Sequence, residues 1–510
     1  MSHTWAASTV VLVYALFCLT VWRRHRRAQH HFPDRQKPAG KTDATVIVFA
    51  SQTGYAEQLA WQSAETLIGA NLDVSVVSLG TLDLSQLRAA QRMLFVVSTT
   101  GDGDAPDSAA AFVRGVLRQQ TDLSHLRYAV LALGDRSYPQ FCAFGHALEQ
   151  WLKEQGAQAL FERIEVDNYD THALQHWQQQ LAVLGGRVEA AGWGAPRYAQ
   201  WRLMEQHHLN PGSPGAPAFH LRLQLPVNAP DWEAGDIAQI AVRNDPAVCR
   251  AVADSLGLDG DSIVTDKGQP VSLQQALETR CLREIQDQIQ NKRSDLNGIT
   301  PQDFLERLPM LAPRDYSIAS LPSDGRLELL VRQVRNADGK HAVGSGWLTA
   351  LNAPGAAIDL SIRRNRSFHP PEDDRPLILI GNGTGIAGLR AHLKLRARRG
   401  HHRNWLLFGE RSEAHDGLYR EELERWQAEG VLQRVDLAYS RHTEDPAYVQ
   451  DKLRQAATTL HHWVAEGAAI YICGSLTGMA SGVADVMDEV LGAETVQRLT
   501  EVGRYRRDVY

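Results

Sequence analysis

Cysteine is scarce in this chain: five in 510 residues, at positions 18, 142, 249, 281 and 473, with no C-x-x-C pair and no metal-ligand spacing. The odd, scattered set indicates neither a disulfide framework nor a metal site, and a reducing compartment is the simpler setting. An excess of positive charge is also missing, since 53 Lys and Arg stand against 59 Asp and Glu. Nothing in that balance points to a nucleic-acid partner. No internal repeat or low-complexity tract is present. At 44% hydrophobic and 22% charged residues the composition is globular rather than fibrous or disordered. The length accommodates about three domains of ~150 residues.

Long apolar runs are equally rare. One stretch, residues 5–22, runs without a charge between Trp5 and Trp22 and is followed by Arg23, Arg24, Arg26 and Arg27. Its 18 residues lie at the lower limit of a bilayer span. The arginines would keep their side cytoplasmic, and the flanking Trp suit the interfaces. Without a basic leading segment or a small-residue cleavage site, a signal peptide is disfavoured. The expectation is an N-terminal transmembrane helix within residues 1–27, a tether over 28–42 with Pro33, Pro38 and Gly40, and catalytic domains on the cytoplasmic side of the cell membrane.

Residues 43–188 alternate apolar strands, expected at 45–50, 74–79, 93–98, 128–133 and 163–166, with helical stretches such as 55–68. This predicts a five-stranded doubly wound sheet. Such sheets bind ligands at the carboxyl ends of their strands. Three loops fall there: Ser51-Gln52-Thr53-Gly54-Tyr55-Ala56, Ser98-Thr99-Thr100-Gly101, and Leu133-Gly134-Asp135-Arg136-Ser137-Tyr138. Hydroxyls and main-chain N–H groups at a helix start can hold a phosphate dianion without a lysine. The three loops resemble those of the flavodoxin family, which implies FMN, with Tyr138 as an aromatic face for its ring. Thr100 departs from the related P450 reductases, which place an aromatic there. With 16 acidic against 8 basic side chains between 43 and 185, this is the acidic module of the chain, and it is expected to meet its acceptor.

A Pro- and Gly-rich break precedes the next segment, 195–370, which mixes short strand-like runs with one helical stretch expected over 271–291. Arg314-Asp315-Tyr316-Ser317 opens a strand. Its Arg can clamp a pyrophosphate, its Tyr can stack on a ring, and its Ser can hydrogen-bond a flavin nitrogen. Further on, Val343-Gly344-Ser345 lies in a small-residue turn that opens a helix, a second anion seat.

Residues 371–510 alternate strands and helices again. Gly381-Asn382-Gly383-Thr384-Gly385 follows the strand at 377–380 and opens the helix at 386–399, so the main chain can approach a dinucleotide closely. Ser440-Arg441 at the end of another strand, with Tyr448 and Gln450 beyond, offers a hydroxyl, a guanidinium and a stacking phenol. A 2′-phosphoadenosine needs that set, which favours NADPH over NADH.

These motifs, together with residues 404–423, 430–441, 448–454, 470–474 and 505–510, resemble the NADPH-dependent diflavin reductases. That family includes the flavoprotein subunit of assimilatory sulfite reductase and NADPH-cytochrome P450 reductase. The resemblance implies an α/β multidomain chain: a flavodoxin-like doubly wound sheet, a ferredoxin-NADP reductase-like FAD β-barrel with a shortened helical insert, and an NADP-binding α/β domain. Carried over by position, the hydride site comprises Ser317, Cys473, Asp508 and Tyr510. Phe141 and Cys142 join the FMN residues, and Leu330, Val331 and Arg332 join the FAD residues. Ser475 and Gly482 stand where the family has acidic residues.

The resulting expectation is a membrane-anchored NADPH-hemoprotein reductase that passes electrons from NADPH through FAD and FMN to a one-electron acceptor, a heme protein. Alternatives left open are the flavoprotein subunit of NADPH-sulfite reductase, a ferric-chelate reductase, and a tethered flavodoxin-like binder without turnover.

Overall fold

The computed structural model describes residues 44–136, 138–186, 198–282, 298–336, 339–441 and 446–510. The first sheet is parallel and contains β1 (Thr45–Ala50), β2 (Val74–Ser78), β3 (Arg92–Ser98), β4 (Arg127–Gly134), β5 (Gln158–Ala159) and β6 (Ile164–Asp167). Its order is β2-β1-β3-β4-β5, and β6 also pairs with β4. The count corrects the expectation of five strands. β5 pairs with Arg127 and Tyr128, whereas β6 pairs with Leu131–Gly134, so two short strands share the fifth position.

Both faces of this sheet are covered. Ile47, Leu94 and Ala129 point into one core with Trp177, and Val48, Phe95 and Val130 into the other with Trp151. This is the period-two alternation of a strand applied to a sheet with helices on both sides.

The second sheet is antiparallel. It is built from β7 (Ala199–His208), β8 (Ala218–Gln224), β9 (Ile237–Ile240), β12 (Arg314–Ser317), β13 (Arg326–Arg332) and β14 (Ala357–Arg363), in the order β12-β9-β14-β7-β8-β13. Trp201, Trp232, Ile240 and Leu329 fill its core. Between β9 and β12 lies an insert with its own small core of Cys249, Leu273, Leu277 and Phe304. In its described part the helix expected over 271–291 is cut short. The hairpin β10 (Ile263–Asp266) and β11 (Gln269–Ser272) runs into it, and the helix Leu273–Leu277 is five residues long. Residues 283–297 lie outside the described residues.

The third sheet is parallel, with β15 (Leu377–Asn382), β16 (Asn404–Glu410), β17 (Arg434–Tyr439), β18 (Ala469–Gly474) and β19 (Tyr505–Val509) in the order β17-β16-β15-β18-β19. Its inner strands β15, β16 and β18 are buried on both faces, as near-continuous apolar runs such as Leu377–Ile380 require.

Among the described residues no helix is long and apolar enough to cross a membrane. The longest helices there, Tyr55–Ile68, Thr171–Leu184 and Ile386–Arg399, have 14 residues each, or about 21 Å against a ~30 Å hydrocarbon core. Against the expected cell-membrane location, the described residues offer no spanning helix. The stretch 5–22 that suggested it lies outside the described residues, as do the tether and Ser137.

Candidate functional site

The turn after β15 is set by contact with β18. A Cβ on Gly385 would overlap the Cys473 carbonyl, and one on Gly381 would crowd the same oxygen, so glycine lets the two strand ends close together. Gly383 has φ +56, which suits glycine, and opens the turn into the helix Ile386–Arg399. One turn further, a Cβ on Gly388 would meet Cys473 Sγ at 3.4 Å and Ser317 Cβ at 3.6 Å. The helix thus lies against both the end of β12 and the end of β18.

Here four of the expected residues come together. β18 and β19 pair in a register that sets Cys473 beside Asp508. Ser317 Oγ donates to Asp508 Oδ2 at 2.9 Å, and the Cys473 thiol points at the same oxygen at 3.7 Å. Cys473 and Asp508 are both buried. Burial pushes the Asp508 carboxyl above its ordinary range against the opposing pull of the Ser317 hydroxyl. Burial, reinforced by Asp508, pushes the Cys473 thiol well up, so it stays protonated. Tyr510 follows directly: its N–H donates to Gly474 O at 3.0 Å and its carbonyl accepts from Leu476 N at 2.9 Å. The residue as a whole is 56% exposed, and its phenol shares a 3.2 Å hydrogen bond with Thr384 Oγ1.

Arg314 donates from Nη1 to the Ala312 and Pro313 carbonyls at 2.7 and 3.2 Å. Among the described residues no carboxylate pairs with it, so a cation remains for an anionic group. Gly344 accommodates it, since a Cβ there would come within 2.7 Å of Arg314 Cγ. Val343 packs on the core of the antiparallel sheet. Ser345 is buried, and its hydroxyl accepts from Val334 N at 2.9 Å. Tyr316 packs on the same core, and burial raises its phenol. Asp315 is engaged elsewhere: its Oδ2 accepts from Tyr169 OH at 2.7 Å and from Arg363 Nη2 at 2.8 Å. Arg332 pairs with Glu410 and donates to Ala216 O. Leu330 and Val331 turn their side chains into the cores, so only their main chain could face a cofactor.

At the end of β17, Ser440 Oγ donates to Glu410 O at 3.4 Å and Arg441 is exposed. Tyr448 is exposed too, and Gln450 lies near Gly482, where a Cβ would come within 3.0 Å of the Gln450 side chain. Residues 442–445, between these two pairs, lie outside the described residues.

In the first sheet, Gly54 has φ +84 and opens the helix Tyr55–Ile68. The first amides of a helix have no partner within it and make a donor set that fits a phosphate; Thr53 and Thr99 lie in the same strand-end loops, whereas the Thr100 hydroxyl donates within its own turn to Asp104 O and Ala105 O. Ser51 Oγ accepts from Ala56 N at 3.2 Å, and Gln52 is buried. Ser98 Oγ donates to Ala50 O, and Thr99 Oγ1 accepts from Phe144 N. Thr100 and Gly101 form a turn closed by Thr100 N to Asp104 O at 2.9 Å. Leu133 is buried, and Gly134 gives room to Cys142, whose N would lie 2.8 Å from a Cβ there. Asp135 O accepts from Tyr138 N, and Tyr138 is 41% exposed. Phe141 carries Arg136 over its ring at 4.3 Å. Cys142 is buried with its thiol pushed up to about 12 by desolvation, so it is an inert packing group.

Several residues at this junction carry no motif that singles them out in the sequence. Tyr55 and Tyr169 pack with ring centroids 4.7 Å apart, Arg363 lies over Tyr55, and Ser367 Oγ donates to Gln52 O at 2.7 Å. Asp107 pairs with Arg507. Apart from the Tyr55–Tyr169 pair, which lies within the first module, these contacts join the first sheet to the other two. Their signal in sequence is only a charge or a ring, with nothing to name the partner.

Two family models match the chain: flavodoxin over residues 47–177, and the oxidoreductase NAD-binding domain over 379–485. Among curated proteins, it is 32% identical to a sulfite reductase (NADPH) flavoprotein alpha-component of Yersinia enterocolitica, over 93% of this chain and 91% of that one. Proteins of the same description from Neisseria meningitidis and Vibrio cholerae are each 30% identical, over 93% and 94% of this chain and 90% of theirs.

Proposed function

The chain belongs to the NADPH-dependent diflavin reductases, with FMN, FAD and NADPH as its cofactors, and from that premise we propose that it is the NADPH-oxidising flavoprotein of a sulfite-reducing pair, supplying electrons to a heme-bearing partner chain. The observation that carries this reading is the likeness, over nine-tenths of both chains, to relatives described as sulfite reductase flavoprotein components. It takes precedence over a reductase of the P450 type, for which the argument was a membrane anchor.

Bound FAD and FMN supply the conversion of a two-electron hydride into single electrons. The protein's own residues handle position and protons. In this reading Asp508 accepts from the Ser317 hydroxyl and the Cys473 thiol, so it fixes both donors and keeps a proton store in a dry site. Tyr510 covers the place where nicotinamide must arrive. Gly383 and Thr384 would take the dinucleotide, and Ser440, Arg441, Tyr448 and Gln450 its phosphoadenosine end. Arg314 would hold the FAD pyrophosphate, and the loops at 51–56, 98–101 and 133–138 would hold FMN.

The acceptor would dock on the acidic module, where Asp102 and Asp104 are exposed. Steering by such charge is screened over ~8 Å at physiological ionic strength, so acceptor reduction should slow as salt rises. The deciding experiment adds the purified flavin-loaded chain to a sulfite-reducing hemoprotein and follows NADPH and sulfite together. Stoichiometric sulfite-dependent NADPH oxidation supports the proposal. Rapid reduction of other heme proteins with no sulfite consumed would sink it.

A further inference from the structure

β19 lies at the edge of its sheet, with β18 as its only strand neighbour among the described residues. Its other side is held at Arg506 by the carbonyls of Arg366, Ser367 and His369, and at Arg507 by the flavodoxin-like module. Gln52 Nε2 donates to Arg507 O at 2.9 Å and to Asp107 Oδ2 at 2.9 Å, while Gln52 Oε1 accepts from Asp107 N at 2.9 Å. Asp107 closes the ring by taking the Arg507 guanidinium with both carboxylate oxygens, Nε at 2.9 Å. Paired, charge-assisted bonds of this kind are among the stronger polar contacts and fix orientation as well.

A second grip lies one element upstream. Arg114, on the helix Ala110–Gly115, pairs with Glu501 at the end of the helix Ala493–Glu501, which leads into β19. The flavodoxin-like module therefore holds both the strand that carries Asp508 and the helix before it. Beyond Arg507 the tail is held from the other side only: β18 pairs with it as far as Val509, Ser317 and Cys473 bond Asp508, Tyr510 N donates to Gly474 O, Leu476 N donates to Tyr510 O, and the Tyr510 phenol meets Thr384. An edge strand released on one side opens locally more often than one held on both.

We propose that Gln52 and Asp107 are positioning residues for the hydride site. By gripping Arg507 they hold Asp508 and Tyr510 in place while the flavodoxin-like module is docked, and they loosen the tail when it departs. Nicotinamide access at Tyr510 is thereby coupled to the position of the other module. This rests on the reading of Tyr510 as the cover of that site.

The test compares wild type, Asp107→Ala and the swapped pair Asp107→Arg with Arg507→Asp, all as flavin-loaded full-length protein. Amide hydrogen exchange over residues 504–510 is followed without nucleotide, and kcat/KM is measured with NADPH and NADH. Asp107→Ala should raise exchange at Tyr510 roughly tenfold, the factor that ~1.4 kcal/mol makes. It should leave the helix Ile386–Arg399 unchanged and favour NADH relative to NADPH, and the swapped pair should reverse these effects. Wild-type exchange at 504–510 in Asp107→Ala overturns the proposal, as does loosening spread evenly over the chain. If the tail stays tight while Tyr510→Ala still changes the nucleotide ratio, positioning fails and the covering role stands. If the tail loosens while Tyr510→Ala leaves the ratio alone, the grip stands and the covering role fails.

Discussion

Ser317 and Asp508, 191 positions apart in the chain, meet at 2.9 Å where the antiparallel sheet abuts the edge of the nucleotide-side sheet. The carboxylate is buried and its proton affinity is raised chiefly by desolvation. Asp508→Asn keeps the shape and removes the base, and should slow flavin reduction by NADPH about 10²-fold, in line with a positioned proton-transfer group. Because the carboxyl titrates above its ordinary range, the wild-type rate should fall as pH drops through that raised value. The acid limb should vanish in the Asn variant. Stopped-flow flavin bleaching across pH decides it, and a variant within twofold of wild type would sink the role.

Glu328 on β13 is fully buried and pairs with Arg390 and Lys394 of the helix Ile386–Arg399. Burial pushes its carboxyl up, but Arg390 and Lys394 overcome this and hold it down at about 2. The same helix presents Gly388 to Ser317 and Cys473, so the pair fixes one half of the site on the other. Arg390→Met should cost ~3–5 kcal/mol, because a buried charge loses a partner. A folded value below the unfolded one means the stabilisation is full above about 4.5 and is lost as pH falls toward 2. Urea unfolding of both proteins at several pH values checks the size and the window.

His392, on that helix, is fully buried between Phe368 and Tyr471, and neither ring nitrogen has a hydrogen-bond partner among the described residues. Desolvation holds its imidazole down at about 3. The unfolded chain takes up a proton near pH 6.5 that the folded chain refuses, so stability from this group is present above that pH and lost as pH falls toward 3. His392→Leu should flatten the stability profile over that window and be at least neutral at pH 8, since it removes an unpaired buried polar group. Loss of more than ~2 kcal/mol at pH 8 would instead point to a hydrogen-bonding role for the ring.

The strands flanking the flavodoxin-like loops are legible in the sequence because aliphatic runs and turn residues alternate cleanly: β1 and the helix Tyr55–Ile68 fall where the pattern puts them. The stretch at 271–291 misleads for a local reason. Lys267 and Gly268 both adopt positive φ and make a tight hairpin turn between β10 and β11, and helical spacing in the residues beyond masks it. The strand β19 is hidden differently, since Arg506, Arg507 and Asp508 look like a solvated tail until a neighbouring module supplies their partners. The motif around Asp315 suggests a flavin contact. Its actual partners, Tyr169 and Arg363, are 146 and 48 positions away, beyond the reach of any local pattern.

Tyr510 stands at the end of β19 with its phenol on Thr384, beside the turn that would take the dinucleotide. If its ring covers the flavin face, nicotinamide has to displace it. A stacked aromatic pair is worth ~0.5–1.5 kcal/mol beyond its buried area, which NADPH can offset through its 2′-phosphate on Ser440 and Arg441 and NADH cannot. Tyr510→Ala should therefore narrow the preference for NADPH by improving the NADH reaction roughly two- to twelvefold, the range that this energy spans. Arg441→Ala should narrow it from the other side, raising KM for NADPH while sparing kcat. The two routes separate cleanly in steady-state kinetics, because one changes NADH and the other NADPH. An unchanged ratio in Tyr510→Ala would leave the terminal ring as an ordinary exposed residue, and a fall in both nucleotides' kcat would assign it to folding of the edge strand instead.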